Sequence, residues 1–138
     1  MIDKNTTLCC SFAECSGSFG CFVHNQAFKF LDINYIYKSF AVKDIKNALI
    51  AMKTLNIKGA GITMPYKKSV IEFLDEKSDS IEEIGACNTV VNKNGLLFGE
   101  NTDFLGLKHY FLKKEPPENS FIYILGNGGM SLAVQSAC

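Results

Sequence analysis

Strand-like and helix-like segments alternate along this chain, and that alternation restricts its fold more than any other feature. An apolar run at residues 8–12 precedes side chains at helical spacing over 22–31. A second run at 35–40 precedes a helical pattern that follows Asp44. Such alternation indicates βα units, which build a sheet covered by helices. The sequence therefore predicts an α/β fold, with an open sheet flanked by helices.

Shorter elements continue this pattern through the middle of the chain. A glycine-rich buried strand is predicted at residues 59–63, and Pro65 ends it because proline has no N–H to donate to a neighbouring strand. Beyond it we predict short helices at 70–74 and 80–84, a hairpin formed by 88–91 and 96–99, and a closing helix at 104–111.

A polar, proline-bearing stretch at residues 113–119 indicates a linker, which divides the chain into domains at 1–112 and 120–138. Residues 121–125 are continuously apolar, as in a parallel strand buried on both faces. A glycine turn follows and opens a predicted helix, and this is the context in which backbone N–H groups bind a pyrophosphate. The candidate cofactor-binding residues are Gly126, Asn127, Gly128, Gly129, Met130 and Ser131.

Composition and charge exclude several classes of function. Fourteen basic side chains balance fourteen acidic ones without a basic stripe, so no nucleic acid partner is expected. The polar amino terminus and the lack of an apolar run of roughly 18 residues predict a soluble, cytoplasmic protein without a membrane partner. The chain has six cysteines, none of them in a C-x-x-C pair, and its two histidines are His24 and His109. We therefore predict reduced thiols and no metal site.

Polar residues follow the predicted strands, where ligands bind in open α/β sheets. Lys67 is either a base in a partly dry cleft, oriented by a carboxylate, or a solvated surface lysine. Asp103 is either that carboxylate or a helix N-cap, and Asn88 either contacts a polyol or occupies a turn. The serines at 16–18 open the first helix, where N–H groups can hold a carboxylate or form an ordinary cap.

Five segments, in this order, resemble motifs of the shikimate dehydrogenase family. Ser18 with His24-Asn25 is similar to its serine-rich entry and His-Asn pair, and residues 61–67 (GITMPYK) are similar to N-V-T-x-P-[FH]-K. Residues 85–89 (GACNT) resemble G-A-V-N-T, 99–103 (GENTD) resemble G-x-N-T-D, and 126–133 (GNGGMSLA) resemble the cofactor turn G-A-G-G-x-x-x-A. Together they cover essentially the whole chain.

The resemblance implies a mixed open sheet in a substrate domain, joined to a Rossmann-like NADP domain of which this chain holds the first β-turn-α. It implies NADP-dependent, reversible reduction of 3-dehydroshikimate to shikimate, as in chorismate and aromatic amino acid biosynthesis, with NAD as the alternative cofactor. The implied catalytic residues are Lys67 and Asp103. The implied substrate contacts are Ser18, Thr63, Lys67, Asn88 and Asp103.

Two departures from the family pattern shape the remaining expectations. Gly20 and Cys21 stand where the family has serine and proline, so quinate or another hydroxylated cyclohexane carboxylate is an alternative substrate. The chain also stops before the second strand of a dinucleotide site, so we expect the isolated chain to lack turnover. A strand at 121–125 without parallel neighbours would expose an apolar edge, which predicts self-association. A non-catalytic module that binds small acids is the alternative to an enzyme.

Overall fold

The computed structural model describes residues 2–114, 117 and 119–138. The strands are β1 (Thr7–Ala13), β2 (Tyr35–Ala41), β3 (Gly59–Ile62), β4 (Glu76–Lys77), β5 (Thr89–Lys93) and β6 (Leu96–Glu100). The helices are α1 (Phe19–Phe30), α2 (Ile45–Thr54), α3 (Asp79–Ile84), α4 (Thr102–Lys114) and α5 (Gly129–Ala137), with a 3-10 helix at Ser69–Phe73. The predicted alternation of strands and helices is confirmed as far as α4.

The six strands form one sheet in the order β2-β1-β3-β5-β6-β4. β1 runs parallel to both β2 and β3, whereas β5 pairs antiparallel with β3 and with β6. The sheet is therefore mixed and open, as the resemblance implied. β4, which pairs with β6, was not predicted, because two residues are too short to show an alternating pattern.

The main core lies between the sheet and α2. Asp44 caps α2 by accepting a hydrogen bond of 2.7 Å from the Asn47 N–H, which fixes where the helix begins. From there Ile45, Leu49 and Met52 face inward at helical spacing and pack with Phe12, Ile62, Val70 and Leu97. This apolar contact holds the carboxyl ends of β1 and β3 in place, where the polar residues of interest follow.

α5 packs against α3 and α4 through a second, smaller core. Ala133 of α5 is fully buried with Ile84, Ala86 and Phe104. α4 extends to Lys114, so residues 113 and 114 of the predicted linker are helical, and residues 115, 116 and 118 of it lie outside the described part of the chain. No helix within residues 2–114 or 119–138 has both the length and the apolar character to cross a bilayer.

The strand predicted at residues 121–125 is not formed. These residues carry no strand pairing, and Phe121, Tyr123 and Leu125 are each at least 87% exposed. The physical reason is the absence of a partner, because a parallel strand needs a neighbouring ladder and the described residues after 120 form only a turn and α5. The turn and helix of the predicted β-turn-α unit are present, and its strand is not.

Candidate active site

Lys67 and Asp103 meet at the carboxyl end of the sheet. Lys67 lies in the turn after β3, where its carbonyl accepts a 2.7 Å hydrogen bond from the Cys87 N–H, and Asp103 lies in the first turn of α4. Lys67 Nζ is 2.6 Å from Asp103 Oδ2, and the two side chains are 18% and 25% exposed. Lys67 and Asp103 therefore converge as predicted, and Lys67 is not a fully solvated surface lysine, because its side chain is 18% exposed and pairs with a carboxylate.

Asn101 fixes the position of Asp103. Its side chain is 1% exposed; Oδ1 accepts a 3.0 Å hydrogen bond from the Phe104 N–H, and Nδ2 donates one of 2.8 Å to the Ala86 carbonyl. The interpretation of Asp103 as an N-cap is therefore wrong, because Asn101 caps α4. Asp103 is left free to face Lys67. Asn101 was missed as a site residue, although its place in the G-x-N-T-D motif could have indicated it.

Asn88 ties the hairpin to the start of α4. Its Oδ1 accepts a 2.8 Å hydrogen bond from the Thr102 N–H, and its Nδ2 donates one of 2.9 Å to Thr102 Oγ1. Its backbone carbonyl accepts from the Ile62 N–H at 2.7 Å, so Asn88 lies between β3 and α4 rather than in a turn. Asn88 thus connects, through its side chain and its backbone, the two segments that supply Asp103 and Lys67.

A cavity of about 480 Å³ opens beside the Lys67–Asp103 pair, and we call it the substrate cavity after the substrate contacts that the resemblance implies. Of the predicted substrate contacts, Thr63, Lys67, Asn88 and Asp103 line it. Ser18 is not among the described residues that line the cavity, whereas Ser16 is. Ser18 precedes α1, and its side chain makes no capping hydrogen bond. Other residues that line it are Ser11, Gly20, Tyr37, Ser39 and Gly61.

The two strand serines were missed by sequence reasoning. Ser11 and Ser39 are register partners on β1 and β2, and Ser11 Oγ donates to Ser39 Oγ at 3.0 Å. A serine inside each of two apolar strands was the available signal, because buried hydroxyls must find partners. The pairing that brings them together depends on the sheet register, which the separate strand patterns do not specify.

A second cavity, of about 530 Å³, also borders Lys67, and we call it the cofactor cavity after the cofactor turn that the resemblance implies. Thr63 and Lys67 line both cavities, and Asn127, Gly128, Gly129 and Met130 line this one. A Cβ at Gly129 would lie 3.0 Å from both Cβ and Cδ of Lys67, so the absence of a side chain lets the turn lie close to the lysine stem. Gly126 and Ser131 line an adjacent hollow, where Ser131 Oγ donates to the Gly128 carbonyl at 2.8 Å.

The turn fits the pyrophosphate of a dinucleotide. The N–H groups at the start of α5 lie beside glycines at residues 128 and 129, so the backbone can approach an anion closely. Within residues 2–114 and 119–138, no three histidine, cysteine, aspartate or glutamate side chains group as metal ligands. The arrangement therefore places a lysine–aspartate pair beside a polar cavity and beside a glycine turn that could hold a phosphate.

Comparisons with known proteins show which family the chain belongs to. Residues 13–90 match the shikimate dehydrogenase substrate binding domain family. The chain belongs to the shikimate dehydrogenase family. A shikimate dehydrogenase-like protein of Haemophilus influenzae is 37% identical over 137 residues, which are 99% of this chain and 51% of that protein. The shikimate dehydrogenase (NADP(+)) of Pyrococcus furiosus is 45% identical over 113 residues, which are 81% of this chain and 42% of that enzyme.

The fold of the shikimate dehydrogenase family is shown by solved structures as well. The structure of a shikimate 5-dehydrogenase-like protein matches with a TM-score of 0.91 at 37% identity, covering 99% of this chain and 51% of that one. This chain spans about half the length of the curated relatives that it matches. The described fold is therefore that of the shikimate dehydrogenase family, over about half the length of these relatives.

Cys21, one of the departures from the shikimate dehydrogenase pattern, is expected to be an acidic thiol. Hydrogen bonding with the Ser39 hydroxyl and N–H, at 3.2 and 3.1 Å, lowers the pKa of Cys21, whereas burial raises the pKa of Cys87 and raises that of Cys10 to about 12. Since the thiolate is the nucleophile, the alkylation rate of Cys21 should reach half its maximum at a lower pH than that of an ordinary thiol.

Peptide mass spectrometry after iodoacetamide pulses at a series of pH values measures this midpoint for each cysteine. Cys10 and Cys87 should be labelled only after unfolding, because both are fully buried. Ser39→Ala is the matched variant: it removes the hydroxyl and keeps the N–H, so the Cys21 midpoint should rise. A midpoint for Cys21 at or above that of free glutathione would contradict the assignment.

Proposed function

We propose that this chain forms the substrate-binding half of an NADP-dependent dehydrogenase that interconverts 3-dehydroshikimate and shikimate. The observation that carries the proposal is the position of Lys67, which pairs with Asp103 at 2.6 Å and lines both the substrate cavity and the cofactor cavity. Dehydrogenation of a secondary alcohol needs a group that accepts the hydroxyl proton, with a hydride acceptor close to the same substrate. Lys67 lines both the cavity proposed for the substrate and the cavity proposed for the hydride acceptor.

On the substrate side, Lys67 Nζ moves the proton and Asp103 orients it. In the reductive direction the Lys67 ammonium donates a proton to the carbonyl oxygen as it becomes a hydroxyl, and in the oxidative direction the amine accepts it. Asp103, held by the cap at Asn101, keeps Nζ directed into the cavity and can accept a hydrogen bond from a ring hydroxyl. Thr63 and Asn88 supply further polar contacts on the same wall.

On the cofactor side, Asn127, Gly128 and Gly129 would hold the pyrophosphate at the start of α5. The nicotinamide group, when bound, supplies the hydride transfer. NADP is the cofactor that the name of the Pyrococcus furiosus relative gives, and we assign it here by that likeness. We likewise assign residues 120–138 to the start of the nucleotide-binding domain and residues 1–112 to the substrate domain.

Two measurements test the proposal. Calorimetry should show saturable binding of shikimate to the 138-residue chain. Asp103→Ala should weaken that binding about tenfold or more, the effect of losing a hydrogen bond to a charged group. Asp79→Ala is the matched control, because this aspartate is exposed on α3 away from the described cavities. Absence of shikimate binding, or equal effects of the two variants, would refute the substrate assignment.

Turnover requires a nucleotide-binding half. A hybrid enzyme, in which this chain replaces the matching region of the Pyrococcus furiosus shikimate dehydrogenase, should oxidise NADPH in the presence of 3-dehydroshikimate. We expect the isolated chain to show no turnover, because its described residues beyond 120 form one turn and one helix. A hybrid that binds shikimate without turnover would favour a non-catalytic module that binds small acids.

Quinate is the second candidate substrate. Gly20 and Gly61 both line the substrate cavity where the family pattern has serine and asparagine, so the described cavity lacks two polar side chains. That difference lies in the cavity that receives the acid, and it changes which ring substituents the cavity can hold. Titration of the chain with quinate and shikimate in parallel decides between them, because the substrate should bind more tightly than its analogue.

A further inference from the structure

Asn25 connects α1 to the open edge of the sheet. β2 is an edge strand, which pairs with β1 on one side only. On its other side, Asn25 Oδ1 accepts a 2.9 Å hydrogen bond from the Tyr37 N–H, and Asn25 Nδ2 donates one of 2.9 Å to the Tyr37 carbonyl. Nδ2 also donates one of 2.8 Å to the Cys21 carbonyl within α1. The amide thus makes the pair of hydrogen bonds that the backbone of an adjacent strand would make.

Neighbouring donors on the same edge of β2 have partners as well. Cys21 lies one turn before Asn25 on α1, and its Sγ accepts a 3.1 Å hydrogen bond from the Ser39 N–H. The Tyr35 N–H donates to the Ile33 carbonyl at 2.9 Å, in the turn before β2. An edge strand with free N–H groups can pair with another chain, so these contacts with α1 and the turn protect β2 from such pairing.

The rest of α1 makes little buried contact. All twelve of its residues are described, and none is buried; Phe19, Phe22 and Phe30 are between 66% and 89% exposed. Most of the stability of a protein helix comes from packing an apolar face against its neighbours. The hydrogen bonds of Asn25 therefore contribute more to the attachment of α1 than they would in a helix with a buried face.

The start of α1 and the loop before it form one wall of the substrate cavity, which Ser16, Gly17, Phe19 and Gly20 line. We propose that Asn25 is a positioning residue for this cavity, because its amide anchors α1 to the edge of β2 and thereby fixes that wall. This inference rests on the proposed function, since it concerns the same cavity. When α1 detaches, the wall moves with it. An acid that contacts the wall then binds only those molecules in which α1 is attached.

Hydrogen exchange measured by mass spectrometry tests the anchor. In Asn25→Ala the backbone amides of α1 should exchange roughly 3- to 10-fold faster than in the parent chain, the effect of losing the net contribution of one hydrogen bond. The amides of α2 should exchange at the parent rate, which shows that the variant folds and that the change is local. Gln26→Ala is the matched control: it is the next residue of α1, is exposed, and should leave exchange unchanged.

Calorimetry tests the link between the anchor and the cavity. The tighter-binding acid, shikimate or quinate, should bind Asn25→Ala roughly 3- to 10-fold more weakly than the parent, because α1 is attached in a smaller fraction of molecules. By linkage, saturating acid should slow the exchange of α1 in this variant toward the parent rate. Asn25→Asp keeps the size and one acceptor, but its carboxylate cannot donate to the Tyr37 carbonyl, so it should behave like Asn25→Ala.

The outcomes separate this inference from the proposed function. If the parent chain binds neither acid, the proposed function falls and the cavity role of Asn25 falls with it. If the parent and Asn25→Ala bind an acid equally well, only the role of Asn25 is overturned. The same holds if Asn25→Ala loses affinity while its α1 amides exchange at the parent rate. If Asn25→Ala does not fold, the parent decides: saturating acid should slow exchange in α1 more than in α2, and an equal effect on both helices would overturn the inference.

Discussion

Replacing Lys67 by alanine in the hybrid enzyme should lower kcat by roughly 10²- to 10⁴-fold, the usual contribution of a positioned general acid or base. KM for shikimate should change far less, because the proton moves in the transition state and not in the ground-state complex. The short contact between Nζ and Asp103 Oδ2, 2.6 Å, and the low exposure of both groups explain why another side chain cannot take over the task. Steady-state kinetics that follow NADPH absorbance measure both constants.

Lys46→Ala is the control for this prediction. Lys46 is exposed on α2, so it tests the loss of a positive charge without loss of the proposed base. Both of its kinetic constants should match those of the parent hybrid. A Lys67→Ala enzyme whose KM rises while kcat is unchanged would show that Lys67 only binds substrate. Partial recovery of the rate on addition of methylamine would support the proton-transfer role directly.

Much of the fold could be predicted because its signals are local. Asp44 followed by apolar residues at helical spacing specifies α2, and the Asn94-Gly95 turn between two apolar runs specifies the β5–β6 hairpin. These signals operate within about ten residues of sequence. The prediction of a strand at 121–125 was wrong because its formation is not local: it depends on neighbouring strands, which the described chain does not supply.

Only the site residues that belong to short sequence motifs could be predicted. Lys67, Asp103, Asn88 and Thr63 each follow a strand or open an element, and all four line the substrate cavity. The pairing of Ser11 with Ser39 in the cavity wall was not predictable, because it arises from the register of β2 beside β1. Long-range packing, and not local preference, decides which polar groups share a cavity.

Asn101 makes one local hydrogen bond, which caps α4, and one long-range hydrogen bond to the Ala86 carbonyl. Of the substitutions proposed, its removal should have the largest effect on the free energy of unfolding. Asn101→Ala deletes the cap of α4 and leaves the buried Ala86 carbonyl without its donor. A lost cap costs about 0.5–2 kcal/mol and an unpaired buried polar group about 1–3 kcal/mol, so the unfolding free energy should fall by about 2–4 kcal/mol. That is a large part of the roughly 5–15 kcal/mol typical of domains.

Urea unfolding followed by circular dichroism measures the loss, with Asn47→Ala as the control. Asn47 is exposed on α2, and its backbone N–H, not its side chain, reaches Asp44, so its replacement should change stability by less than about 0.5 kcal/mol. Asn101→Ser separates the two contributions: serine keeps a capping oxygen but cannot reach Ala86, so it should recover about 1 kcal/mol. If Asn101→Ala were no less stable than Asn47→Ala, the cap and the buried amide could not be what positions Asp103 opposite Lys67.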